Sequence, residues 1–582
     1  MPHYDPLTPQ EIANLFGATP PPPDGVFELA LVLGGTVSAG SYTAGALDFL
    51  FEALDEWEKA KATGDASVPR HQVVIRFMVG TSGGGVTSAI AARALAYAYP
   101  PVSKASPDPH PPQNTGSSSG YATGNPLYDI WVNELHLAGF LETGDLNGAT
   151  VPSLLNGGVI DAAAARIVEF APVDQALSTA RPWVASPLRV IMTVTNRRGV
   201  PYRFDFGSSS EIFVNHADHL RHAVVYPNAA SAAFRPDEST LSFEGARTPG
   251  AIGWDQFAEH AKAPAAFPAG FPQRQIVRPR EDYRYRVVAM PAATVTAAAA
   301  IAAGGSIPVC GGIAALTPDW DRMISGDGPD DGYYRFSAAD GGATDNEPIE
   351  LGRTALAGYD GCNDRDPMSA RRAVLLIDPF GGDAPLGDAA PRGLLPDLLG
   401  LPNVLVQQAR YDTRDVRMAL DPNVGSRFML SASRGETKGQ KALATAGLGA
   451  FLGFACRDFR RHDYLLGRQN CQDFLRGTLL FPDGARAFGP PGAEGDPRPL
   501  IPLFGSCAVD EALDPWPQGR LDPAAYRDGI EDRFKALVAG LSQDTVLSGL
   551  PAWLLEHLGE GWVADKVVAE IDNALTEWGL KA

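Results

Sequence analysis

Residues 73–99 read VVIRFMVG TSGGG VTSAIAARALAYAY, and the three parts of this stretch decide the fold. Val73 to Gly80 is an almost unbroken apolar run, as a strand covered on both faces of a parallel sheet has to be. Val86 to Tyr99 is rich in alanine and charged only at Arg93, which predicts a helix packed into the interior. Between them Thr81-Ser82-Gly83-Gly84-Gly85 leaves room only for a sharp turn. Strand, turn and helix in this order are the unit from which parallel α/β sheets are built.

Working outward, FELALVLGG (27–35) predicts a second buried strand running into a glycine pair, followed by a helix with Leu47, Leu50, Phe51, Leu54 and Trp57 at three- and four-residue spacing. Further strands are expected at 187–196, 283–290 and 373–380, with helical stretches between them. The expected fold is therefore three-layer α/β/α with a mainly parallel sheet. Residues 1–26 read as an N-terminal extension, 27–380 as the α/β domain, and 381–582 as a mainly helical region with helical patterning at 394–420, 440–475 and 524–580. A Pro/Ser/Gly-rich stretch at about 99–126 reads as a mobile insertion. Residues 287–318 carry no charge and, interrupted by Pro291 and Pro308, read as buried helix and loop rather than a membrane insertion, with a lid or acyl-channel wall as a further alternative.

The chain has 582 residues with 48 basic and 68 acidic side chains, a net charge of −20, which disfavours nucleic acid as a partner. Its five cysteines, at 310, 362, 456, 471 and 507, show no Cys-x-x-Cys spacing, so no zinc site or disulfide framework is expected and a reducing compartment fits best. Neither a signal peptide nor a bilayer-length apolar span is read, and the expected location is cytoplasmic.

Gly80-Thr81-Ser82-Gly83-Gly84 fits the G-x-S-x-G nucleophile elbow, in the strand-to-helix context that the motif requires. Small neighbours let the serine sit in a strained turn, and the helix start behind it offers free N–H groups to developing negative charge. Some 45 residues earlier, Gly34-Gly35-Thr36-Val37-Ser38-Ala39-Gly40 forms another strand-to-helix turn whose backbone can approach a substrate closely. It matches neither G-x-G-x-x-G nor the P-loop, so nucleotide binding is the weaker reading. Asp340-Gly341-Gly342-Ala343-Thr344-Asp345-Asn346-Glu347-Pro348 is the third piece. Taken alone, its aspartate reads as the first residue of a Gly-Gly turn, with Asp345 and Asn346 bracing it.

Together these pieces resemble the patatin family of serine acyl hydrolases: the elbow, the glycine loop, a DGG turn extended by DN-x-P, and a small-residue Phe-Pro segment, Ala263 to Pro272, ahead of it. The resemblance covers roughly residues 27–355. It implies a Ser82–Asp340 dyad without histidine, and an oxyanion hole from the backbone of Gly34, Gly35, Thr36, Val37 and Gly83. Gly80, Gly84, Gly341 and Gly342 are then structural. It also implies a lipid or acyl-ester substrate, transient contact with a membrane surface, and no cofactor or metal. The glycine loop departs from the family's GGGxRG-like pattern at Thr36, Val37, Ser38 and Ala39.

Two other readings stand beside it. An α/β-hydrolase triad could use Ser82, Asp340 or Asp378, and His462 or His557, which occur in the right chain order. A catalytically weak scaffold that binds lipid or a protein partner is the non-enzymatic alternative. His216, His219 and His222, three residues apart, read as ordinary histidines near one helix face rather than metal ligands. Arg457, Arg460, Arg461 and Arg468 read as a solvated helix face, with a lipid-headgroup site as the alternative.

Overall fold

The computed structural model describes residues 4–107, 123–147, 150–170, 181–205, 210–227, 233–243, 251–290, 312–324, 331–381, 417–419, 421, 423–542 and 561–582. The centres of the 99–126 and 287–318 stretches, most of 394–420, and His557 lie outside the described residues.

Among the described residues nine strands form one sheet: β1 (Val26–Leu33), β2 (Gln72–Gly80), β3 (Val184–Asp205), β4 (Ser210–Val225), β5 (Ser239–Ser242), β6 (Arg274–Pro279), β7 (Tyr333–Asp340), β8 (Arg372–Ile377) and β9 (Arg427–Leu430). The spatial order is β9-β8-β1-β2-β3-β4-β5, with β7 on β3 and β6 on β7. Pairing from β9 through to β3 is parallel, whereas β4 and β7 run antiparallel to β3 and β6 antiparallel to β7. The protein is thus α/β with a mainly parallel central sheet.

The register of β3 positions the site. On one edge, β2 runs parallel to β3 until Gly80 lies opposite Met192. Two residues on, β7 arrives antiparallel on that same edge, with Asp340 opposite Val194. The ends of β2 and β7 therefore meet head to head.

Helices α1 (Pro9–Phe16), α2 (Gly40–Ala62), α3 (Gly83–Ala94), α4 (Gly158–Glu169), α5 (Trp254–Lys262), α6 (Ile349–Ala357) and α7 (Arg457–Gly477) are followed by α8 (Arg527–Ser542) and α9 (Trp562–Glu577). Alternation along the strands splits the interior. Leu29, Leu31, Leu33 and Met78 pack with α2, α3 and α7, while Ala30, Val32, Phe77 and Val79 pack with α6. Helices α2 and α7 cross at glycines: a Cβ on Gly45 would lie 1.9 Å from the Tyr464 carbonyl oxygen, and one on Gly467 2.1 Å from that of Tyr42.

Several expectations are corrected. Residues 280–285 form a 3₁₀ turn, and Val287–Met290 pairs with Gly312–Ala315 outside the main sheet, so 283–290 is not a fourth sheet strand. The histidines at 216, 219 and 222 stand on strand β4 rather than a helix. A period of three alternates across a strand, and His222 meets buried His260 (Nε2 to Nδ1 2.9 Å) while His219 meets Arg221 and Arg286. The sheet also takes β9 from beyond residue 380, where the sequence divides most naturally. Nor is the basic run on α7 a solvated face. Arg460 is buried and donates to the carbonyls of Val132, Gly453 and Phe454, and buried Arg468 bridges Asp48, Glu52 and Glu511. No helix among the described residues is long and apolar enough to cross a membrane.

Candidate active site

Ser82 ends the turn after β2 with φ 51° and ψ −129°, and α3 begins at the next residue. That conformation is uncommon for a residue with a Cβ, and it persists because the surroundings leave no alternative. A Cβ on Gly80 would fall 2.5 Å from the Gly84 carbonyl oxygen, and one on Gly84 2.2 Å from that of Leu33. The elbow therefore presses directly on the end of β1. Gly84→Ala is expected to cost about 3 kcal/mol, the upper range for overpacking against backbone that cannot yield, read as a lower urea midpoint at unchanged m.

Across the seam between β2 and β7, Ser82 Oγ donates to Asp340 Oδ2 at 2.7 Å. The other carboxylate oxygen accepts the Gly342 N–H at 2.8 Å, the Asp340 N–H donates to the Ala266 carbonyl at 2.9 Å, and the Thr195 hydroxyl donates to the Asp340 carbonyl at 2.7 Å. Both carboxylate oxygens and both backbone groups of the aspartate are thereby engaged. Burial pushes the Asp340 carboxyl up to about 6, against the opposing pull of the Gly342 N–H and the Ser82 hydroxyl. Burial raises Asp345 to about 6 as well.

Side chains of Thr81, Thr193 and Asn346 bind the turn around Asp340 to the elbow, and of these only the bracing by Asn346 is expected from sequence. Thr81 Oγ1 contacts Thr193 Oγ1 at 2.5 Å and donates to the Asp345 carbonyl at 3.0 Å. A Cβ on Gly35 or on Gly342 would fall 2.3 or 2.7 Å from Asn346 Oδ1, so the Asn346 side chain is wedged between the glycine loop and the DGG turn. On Gly341 a Cβ would meet the Thr193 backbone. Thr193 stands on β3 in an ordinary β pattern and Thr81 in the turn after β2, and only the pairing of β3 with both β2 and β7 reveals that they meet.

In the glycine loop, the Gly34 N–H is engaged with the Ile377 carbonyl at 3.1 Å and is not available to a ligand. Thr36 is wholly buried, its hydroxyl against Gly83. Val37 has φ 48°, a left-handed conformation that is costly for a β-branched residue, and it stands where the patatin-like pattern has glycine. Val37 and Gly83 line the same cavity as Ser82 and Asp340, and their N–H groups have no hydrogen-bond partner among the described residues.

That cavity is partly open to solvent, and its wall is almost entirely apolar. Val86, Ile90, Ile160 and Ile167 supply aliphatic surface, and Phe267 and Phe271 bring the Phe-Pro segment into it. Phe451 and Phe454 come from beyond residue 380. Among the described residues Lys262 is the only ionisable side chain in the lining besides Asp340, and it is paired with Asp161 at 2.7 Å and with Glu259.

Among the described residues no histidine lines this cavity. His462 lies 2.8 Å from Asp463 through Nδ1 and edge-on to Trp516, and Asp378 caps the Phe380 N–H at 2.9 Å. No cluster of metal-ligating side chains occurs among the described residues.

Fold and site together define an α/β protein with a serine–aspartate pair at the base of an apolar cavity. No family model matches the sequence. The chain is 31% identical over 551 residues to the uncharacterized protein y4iI of Sinorhizobium fredii (strain NBRC 101917 / NGR234), covering 86% of this chain and 73% of that one, and it belongs to that protein's family.

Proposed function

We propose that the protein is a patatin-like lipid acyl hydrolase that cleaves carboxylic esters through Ser82 and Asp340. The observation that carries this reading is the 2.7 Å hydrogen bond from Ser82 to a buried carboxylate at the base of an apolar cavity. In the first step Asp340 takes the Ser82 proton as Oγ bonds to the ester carbonyl carbon. The N–H groups of Val37 and Gly83 receive the developing oxyanion. Collapse breaks the bond to the alcohol, which leaves with the proton from Asp340, and the acyl chain stays on Ser82 in the cavity. Water then attacks, Asp340 again carries the proton, and the fatty acid departs. The protein works without metal or cofactor, from the cytoplasm, touching the membrane surface transiently.

The finer fold assignment belongs to this reading. With α2, α3 and α7 on one side of the sheet and α6 on the other, a patatin-like three-layer core fits; among the described residues after 380, α7, α8 and α9 are the long helices, with turns, loops and short strands between them.

Labelling by a fluorophosphonate probe, with fatty-acid release from mixed phospholipid vesicles, tests the proposal. Neither labelling nor release from the intact chain would sink it in favour of a binding scaffold. The pH profile is a further check. Asp340 must be ionised to accept the proton, so kcat/KM is expected to rise about tenfold per pH unit below its value of about 6 and to level off above it. Asp345, raised to the same value, has no hydrogen bond to Ser82 among the described residues, and Asp345→Asn is expected to leave this rise in place.

A further inference from the structure

A second cavity lies on the α6 side of the sheet, and its lining has the opposite chemistry. Five arginines, Arg76, Arg189, Arg221, Arg235 and Arg372, face it together with one carboxylate, Glu28. Their placement follows from the strand register. Glu28 is opposite Arg372 and Ile191 is opposite Arg221, so these side chains emerge on the face that carries Ala30, Val374 and Ile191 in its apolar part. Buried guanidinium groups on a sheet face are costly unless paired.

Most of them are paired. Glu28 takes Arg76 at 2.9 Å and Arg372 at 2.8 Å. Arg189 bonds Glu238 at 2.7 Å, and Arg235 holds Asp237 through two bonds at 2.9 and 3.2 Å. Arg221 differs. Its Nε donates to His219 Nε2 at 3.0 Å and lies 3.6 Å from Asp237, but Nη1 and Nη2 have no hydrogen-bond partner among the described residues, although the side chain is only 9% exposed. Burial and the neighbouring Arg235 pull its pKa down to about 10. His219, held neutral by burial and by Arg286, adds no charge. Five guanidinium groups against Glu28, Asp237 and Glu238 leave a surplus of two positive charges in a chain whose net charge is −20.

We propose that this cavity binds a phosphate-type oxyanion, with the free end of Arg221 as its principal donor and Arg76 at its solvent side. A planar guanidinium with two open N–H edges matches a tetrahedral anion in a bidentate manner, and a dianion balances the surplus charge. The C-terminal end of α6, at Thr354, Ala355 and Leu356, also lines the cavity. Its dipole disfavours an anion, so the arginine side chains rather than backbone must hold the ligand. The site shares no lining residue with the Ser82 cavity and does not depend on the hydrolase reading.

The test is calorimetric titration of the whole chain with inorganic phosphate at constant ionic strength. Alongside it goes flotation with vesicles of phosphatidylcholine with or without phosphatidic acid. Saturable phosphate binding is expected in wild type and unchanged in Ser82→Ala, with the dissociation constant raised at least tenfold in Arg221→Gln. Arg76→Gln, at a side chain 42% exposed, is expected to raise it severalfold, which keeps the test valid if the buried variant misfolds. Arg221- and Arg76-dependent flotation on phosphatidic acid would identify a lipid headgroup as the source, and phosphate binding without flotation a soluble phosphate. No heat beyond that of matched chloride, or equal binding in wild type and both arginine variants, would overturn the proposal.

Discussion

Replacing Ser82 by alanine is expected to lower fatty-acid release by on the order of 10⁵–10⁶-fold, as loss of the attacking atom does in serine hydrolases. Asp340→Asn is expected to lower it by about 10⁴-fold, because the amide keeps the shape of the turn but cannot take the Ser82 proton. What separates this prediction from simple damage is stability. A carboxyl raised from 3.8 to about 6 binds its proton more tightly in the folded chain than in the unfolded one. Its ionised form therefore costs the fold a few kcal/mol at neutral pH, and the cost fades as pH falls from about 6 to below about 4. Asp340→Asn should consequently melt at or above wild type at pH 7.5, with the gap closing toward pH 4. An inactive variant that melted lower at pH 7.5 would mean that Asp340 holds the fold rather than serving the reaction. Full activity in Asp340→Asn would remove it from the mechanism.

A chain ending at residue 380 is expected not to fold. It would lose β9 from the sheet and α7 from the face of α2. Tyr464, Leu465, Leu466, Phe474 and Leu475, all buried, would take their cover off the core. At roughly 1.5–3 kcal/mol for each such side chain, the loss rivals the whole ~5–15 kcal/mol stability of a typical domain. Asp48, buried and paired with Arg468 through Nη1, would lose that charge partner, and Ser38 would lose the Ala450 carbonyl that accepts both its N–H and its hydroxyl. Circular dichroism during heating checks this: the truncated chain should show no cooperative transition. A cooperative melt near that of the full chain, with retained probe labelling, would make residues 27–380 an independent domain after all.

The legible part of the molecule is what local pattern encodes. β1, β2 and β8 are covered on both faces, so their apolar runs read directly as strands. The elbow at Ser82 needs glycines around it because of its own backbone geometry, and those glycines are visible in any reading of the chain. Strands β4, β6 and β7 were not legible. Their residues alternate with charged and polar side chains such as Arg221, Arg278 and Arg335, which resemble surface until the pairing is known. The arginines of α7 misled for the same reason: a charge run carries no mark of the carbonyls and carboxylates that wait for it elsewhere in the chain.

By itself, then, the sequence determined the strand-turn-helix unit, the strained serine and the aspartate turn, because each is set by residues within a few positions of one another. Only the tertiary structure decided that these two turns touch, since that depends on β2 and β7 meeting end to end along β3, 258 residues apart in the chain. It also decided that the wall of the cavity borrows Phe451 and Phe454 from beyond residue 380, and that five arginines gather around one cavity on the α6 face. Contacts of that kind are made by strand register and helix packing, which a single chain's local pattern does not contain.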